Sequence, residues 1–208
     1  MEMITPWLAK IPFPVADEVR KYRDDIVKLG LEPERKQSNK LFPFENPELK
    51  QYLFEEWNKT IHEHFVVNEF SGKFRLGVLV KNNKYVSVSN PDNGRIFHNH
   101  LKCTINTAIY ITPPKEPTFE IIDPDVNGLA EGCTTKIITV EENYLYCTPN
   151  WLYHRIRDQQ DERYRITINM EYHSEGNAYL RTEKKFDRPH GGLTGHNHIW
   201  SSSWNVGM

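Results

Sequence analysis

Beyond residue 70 the chain becomes a succession of short segments rich in β-branched and aromatic residues, with no helix-length amphipathic stretch between them. They read FRLGVLVK (74–81), KYVSV (84–88), RIFHNH (95–100), TINTAIYI (104–111), TFEII (118–122), TTKIITV (134–140), YLYCT (144–148) and YRITINMEY (164–172). Val, Ile, Thr, Tyr and Phe suit a pleated, half-buried surface and are enriched in strands for that reason. The connectors NNK, NPDNG, TPPKEP and DPDVNG supply the Asn, Asp, Gly and Pro that tight turns require. Without intervening helices, strands at this spacing predict an antiparallel sandwich or barrel.

Before residue 70 the pattern is helical. Val15, Val19, Tyr22, Ile26 and Leu29 recur at helical spacing, with Gly30 as a C-terminal stop. A second helix is predicted to open at Asn46-Pro47, a capping residue followed by Pro at the first helical position. Its apolar face runs Leu49, Tyr52, Leu53, Trp57, Ile61, Phe65. From Ser174 onward periodicity is lost, as in an extended tail laid on the domain or on another subunit. The expected organisation is one domain over 1–208: a helical elaboration (1–70), a β core (71–173) and the tail (174–208). A chain of 208 residues can bury a core of that size.

Charge and composition exclude several classes. A formal charge of −2 lacks the basic excess of a nucleic-acid-binding surface. No apolar run approaches the ~20 residues that span a bilayer, so no membrane partner is expected. The start, MEMITPWLAK, has an acidic residue and a Pro where a signal peptide needs a basic start and an apolar stretch. The three cysteines, Cys103, Cys133 and Cys147, are odd in number and irregularly spaced, so neither a disulfide framework nor a zinc knuckle is indicated. The expectation is a reducing, cytoplasmic compartment.

The chemistry-bearing residues cluster in three places. Residues 97–100 read FHNH, and in an extended chain His98 and His100 share a face while Asn99 takes the other. On their own they are as well explained as polar residues of a strand. Residues 147–154 read CTPNWLYH, where a strand ends in a turn and His154 follows. Eleven residues on, Arg165 opens a strand in which Arg165, Thr167 and Asn169 alternate with Ile166, Ile168 and Met170. An inward-facing Arg is costly to bury unless an anion meets it, and its planar fork suits a carboxylate. A His-x-His pair, a distant His and an Arg–Thr pair together describe a metal beside a carboxylate-binding pocket. Tyr110 belongs either to the core or to that pocket. The tail repeats the opening motif as GHNH (195–198), without a strand pattern to support it.

The order of His-x-His, the strand NTAIYI, Asp123-Pro124, the turn CTPNWLYHRI and then RITINME resembles the 2-oxoglutarate/Fe(II)-dependent oxygenases. It is most similar to their small prolyl-4-hydroxylase-like branch of bacteria and phages, over roughly residues 84–172. The resemblance implies a mostly β fold: a double-stranded β-helix, the jelly-roll or cupin-like barrel, with the N-terminal helices packed on it. It implies Fe(II) held by His98, His154 and His100, with 2-oxoglutarate as co-substrate. Arg165 matches the residue that pairs with the far carboxylate of 2-oxoglutarate, Thr167 its hydroxyl neighbour, and Tyr110 is a further candidate contact. Position 100 departs from the common His-x-Asp or His-x-Glu, although His-x-His also occurs in this branch. Imidazole suits iron, but a neutral third ligand leaves the metal one charge more positive than a carboxylate does. Glu120, on a neighbouring predicted strand, is an alternative source of acid.

The implied activity is a dioxygenase that uses molecular oxygen to hydroxylate a peptidyl or small-molecule substrate, in a bacterial or phage-infected host cytoplasm. Two alternatives explain the missing acid differently. One is a catalytically inactive jelly roll with a structural or assembly role in a phage particle, its tail wrapping a neighbour. The other is a cupin-type dioxygenase with three-His iron and no 2-oxoglutarate, which leaves Arg165 without a role.

Overall fold

The computed structural model describes residues 1–5, 7–14, 16–22, 24, 46–66, 70–80, 84–87, 97–100, 103–112, 115–122, 134–157, 165–174, 177–180 and 201–202, with backbone alone at 16, 66, 70–80, 84–87, 112, 165–166, 174, 177–180 and 201–202. Two packed antiparallel sheets dominate. The strands in chain order are β1 (Glu2–Thr5), β2 (Leu8–Pro12), β3 (Phe65–Val66), β4 (Phe70–Val80), β5 (Lys84–Ser87), β6 (Ile105–Thr112) and β7 (Phe119–Ile122). They continue with β8 (Thr135–Ile138), β9 (Tyr144–Pro149), β10 (His154–Ile156), β11 (Arg165–Ser174), β12 (Asn177–Leu180) and β13 (Ser201–Ser202). The helices are α1 (Ala16–Arg20) and α2 (Pro47–His64).

The major sheet has seven strands in the order β1-β2-β9-β6-β11-β4-β5. The minor sheet has the order β10-β7-β8, and a bridge from His98 to His154 adds residues 97–100 to its edge. Partners are nested: β4 pairs with β11, His98 with β10, β6 with β9, and β7 with β8. First meets last and second meets second-last, as in a hairpin folded over itself and wound into two sheets. This nested order is the jelly roll expected from the sequence, and it explains how residues 98, 154 and 171 come together from distant parts of the chain.

Alternation along the major-sheet strands sorts their side chains onto two faces. Ile105, Ile109, Leu145, Cys147, Ile168, Met170 and Tyr172 face outward onto α2. That helix starts where predicted: the Asn46 side chain accepts from Leu49 N at 3.0 Å, and Pro47 occupies its first position. It buries Leu49, Leu53, Trp57 and Ile61, four residues apart, but leaves Tyr52 41% exposed, so Tyr52 is not part of its core face. Trp57 Nε1 donates to Thr107 Oγ1 at 2.8 Å, which donates to the Met170 carbonyl at 2.7 Å. The other face, with Leu8, Tyr110 and Tyr146, packs against Phe119, Ile121 and Ile138 of the minor sheet.

Two features differ from the sequence reading. The hairpin β1–β2 extends the major sheet through pairing with β9, placing strands in a region read as helical. Its buried Leu8, Ala9 and Ile11 are too few and too interrupted by Pro12 and Pro14 to show a period. Strand β10 is only three residues long, below what a propensity pattern can display. Of the first predicted helix, the short α1 lies among the described residues, whereas Ile26, Leu29 and Gly30 lie outside them, as does GHNH (195–198). Cys103 and Cys147 are buried thiols and form no disulfide among the described residues; Cys133 also lies outside them. Among the described residues no helix is long and apolar enough to cross a membrane.

Candidate metal centre

His98 and His154 sit directly opposite each other and exchange both backbone hydrogen bonds, His98 N to His154 O at 3.0 Å and His154 N to His98 O at 2.9 Å. Directly opposed residues project to the same side, so the pairing itself brings their rings to 4.6 Å, centroid to centroid. A turn precedes His154, closed by Leu152 N to Pro149 O at 3.2 Å. Leu152 is buried between the sheets, and Trp151 packs edge-to-face on Trp7 at 4.9 Å. The Asn150 carbonyl of the same turn accepts from His100 N at 2.8 Å. Cys103 donates to the His100 carbonyl from both N and Sγ, at 2.9 and 3.1 Å. The turn that aims His154 therefore also anchors His100.

Each of two rings is fixed by its Nδ1. His154 Nδ1 donates to the Leu152 carbonyl at 2.9 Å, which leaves Nε2 with the lone pair. His100 Nδ1 lies 3.0 Å from Glu171 Oε1, and a carboxylate there makes Nδ1 the protonated nitrogen. The two Nε2 atoms then face each other at 3.3 Å, with the rings stacked at 8°. Two lone pairs that close call for a cation between them. At a metal–nitrogen distance of about 2.0–2.1 Å, tetrahedral ligands are separated by roughly 3.4 Å, so the spacing fits a shared ion. One ligand atom from each of His98, His100 and His154 lies within 4.8 Å of the others, and the trio can hold a metal ion. Burial, then the neighbouring His100 and His98, push His154 well below the ordinary histidine range. It is thus held as the neutral base that a metal binds.

Glu120 is not the missing acid. It opposes Arg155 across β7 and β10, whereas His154 opposes Ile121, so the carboxylate takes the other face of the minor sheet. There Arg155 Nε donates to it at 2.7 Å, and Arg157 lies at 3.9 Å. Burial raises the Glu120 pKa, but hydrogen bonds from Arg155 and Thr135 and the two positive charges outweigh it, and the carboxyl lies below its ordinary value.

The acid near the histidines is Glu171, buried on β11. Alternation puts it on the strand face of Thr167 and Asn169, so the same count carried one step further would have found it. Thr167 and Tyr110 are directly opposed across β11 and β6, both buried, with Tyr110 edge-on to Tyr146 at 5.4 Å. They stand on the inner face, along the strand from Glu171. Arg165 opens β11 opposite Leu79; its side chain lies outside the described part. The side-chain oxygens of Asn106 and Asn169 are buried on this inner face without a hydrogen-bond partner among the described residues.

No family model matches the sequence, and no curated protein matches it. Solved structures do resemble the fold. A prolyl hydroxylase from Trichoplax adhaerens, in complex with a hypoxia inducible factor oxygen degradation domain peptide fragment, superposes with a TM-score of 0.54 at 12% identity, over 82% of this chain and 85% of that one. The non-heme alpha ketoglutarate dependent epimerase SnoN from nogalamycin biosynthesis superposes with a TM-score of 0.50 at 11% identity, over 95% of this chain and 93% of that one. At these identities the shared property is the jelly-roll fold.

Proposed function

We propose that the chain is a 2-oxoglutarate- and Fe(II)-dependent dioxygenase that hydroxylates a peptidyl or small-molecule substrate. The observation that carries this reading is the convergence of His98, His100 and His154 on one point inside a jelly roll, with two Nε2 atoms 3.3 Å apart. The three imidazoles would hold Fe(II), and the Leu152 carbonyl and Glu171 keep two of them in the ligating tautomer. Bound iron supplies oxygen activation coupled to the decarboxylation of 2-oxoglutarate to succinate. Arg165 and Thr167 would receive the far carboxylate, with Tyr110 opposite Thr167 closing that end. Phe119, Ile121, Leu152 and Tyr146 pack as an apolar layer between the sheets, with the Phe119 ring 5.5 Å from that of His154, and keep this side of the metal site apolar.

The three-His dioxygenase without 2-oxoglutarate keeps one point in its favour: no carboxylate belongs to the metal-holding trio among the described residues. Metal content and succinate release, measured on the purified chain with Fe(II), 2-oxoglutarate and oxygen, separate the readings. Iron with 2-oxoglutarate turnover supports the proposal. Iron without succinate favours the three-His alternative, and no bound metal returns the chain to a structural role.

A further inference from the structure

Resting on that metal-centre reading, we infer that Glu171 is a positioning residue that restores, one imidazole away from the metal, the negative charge missing at position 100. The carboxylate is buried, with its side chain 6% exposed, and sits 3.0 Å from His100 Nδ1. Burying an acid costs free energy unless a donor meets it, and here His100 is one donor. The ring's other nitrogen turns toward His154 Nε2. A charge-assisted hydrogen bond of this kind fixes the tautomer and makes the ligating nitrogen more basic. A His-x-Asp site carries its negative charge on a ligand oxygen. This chain carries it on Glu171 and passes it through the His100 ring. Glu120 does not offer that charge, because it is committed to Arg155 on the opposite face of the minor sheet.

The test titrates the metal-free full-length chain with Co(II), reading affinity and visible d–d bands, without substrate or turnover. Glu171→Gln keeps the shape and removes the charge. It is expected to weaken Co(II) by the 10–100-fold typical of altering an outer partner of a ligand, and to shift the bands. His100→Asp added to Glu171→Gln returns a carboxylate to the ligand set and is expected to recover wild-type affinity within a few-fold. If Glu171 served only packing, this second change would deepen the loss, since it removes the contact altogether. Equal Co(II) affinity and bands in wild type and Glu171→Gln overturn the inference while leaving the metal centre standing. Failure of the wild type to bind Co(II) overturns the metal centre and this inference together. Should Glu171→Gln not fold, nitrogen-15 NMR of the Zn(II)-loaded wild type decides: a hydrogen-bonded proton on His100 Nδ1 supports the assignment, and a bare Nδ1 overturns it.

Discussion

The two faces of the major sheet are made by the same strands and obey different rules. The outer face against α2 is aliphatic and aromatic, with its polar groups closed on themselves in the chain Trp57–Thr107–Met170 carbonyl. The inner face mixes Tyr110 and Tyr146 with Thr167, Asn106 and Glu171, all of them buried. A residue's parity along a strand thus decides whether it packs under α2 or faces the minor sheet and the site. Substitutions on one face should leave the other's property nearly untouched.

The largest break in that comparison is expected from Trp57→Ala. Trp57 is fully buried, so the change removes a large ring and its hydrogen bond to Thr107. A loss of about 3–5 kcal/mol in unfolding free energy is expected. Denaturant unfolding measures it, and metal affinity of the folded fraction should stay at the wild-type value. A parallel fall in metal affinity would show that the two faces are coupled.

Arg165→Ala is the matching break at the proposed 2-oxoglutarate pocket. The substitution should remove a two-pronged contact to 2-oxoglutarate worth on the order of 2–5 kcal/mol, while metal affinity remains. Calorimetry with metal and co-substrate added separately reads both. Unchanged 2-oxoglutarate affinity would remove Arg165 from the pocket.

Metal would sharpen the contrast, because its proposed ligands stand at the edge of the minor sheet, away from the face packed on α2. At a free concentration of 100 times its dissociation constant, it should stabilise the fold by about 2.7 kcal/mol, a shift of roughly 5–11 °C in the melting midpoint. His154→Ala should abolish that shift, since its ring is the one anchored by both the turn and the bridge. A melting shift that survives in His154→Ala would place the metal elsewhere.

The extent to which this was legible beforehand follows the length of each signal. Long strands such as β4, β6 and β11 each carry a full run of β-formers, so their positions are visible in sequence. The helix α2 announces itself by Asn46-Pro47 and its four-residue spacing, and only the exposed Tyr52 misleads. The histidines are visible because His98 and His100 lie two apart and His154 follows a marked turn. What stays hidden is pairing between distant segments. Glu120 and Glu171 look equally available in sequence, and only the register of β7 on β10 gives one to Arg155 while that of β11 leaves the other by His100. The hairpin β1–β2 is hidden for a similar reason, since its hydrophobic stretch is short and its partner, β9, is more than a hundred residues away.

The smallest effect concerns the face of the minor sheet turned away from the histidines, where Glu120 meets Arg155. Glu120 has its folded-state pKa below the unfolded value. A depressed acid stabilises the fold above the unfolded value, near 4.5, and that contribution is lost as pH falls through the folded one. Arg155 has 37% of its side chain exposed, so solvent screens much of the attraction, and the pair should contribute less than about 1 kcal/mol. Arg155→Met keeps the apolar stem near Phe97, over whose ring the guanidinium lies at 4.4 Å, and removes the charge. Arg157 and Thr135 remain as partners, so Glu120 is not abandoned in the variant. The variant should fall slightly behind wild type between pH 5 and 7, and the gap should close as pH falls below 4.5 and through the lowered folded-state value. Urea unfolding across that range reads the difference. A gap that persists undiminished into acid would mean that Arg155 stabilises the sheet through packing on Phe97 and not through Glu120.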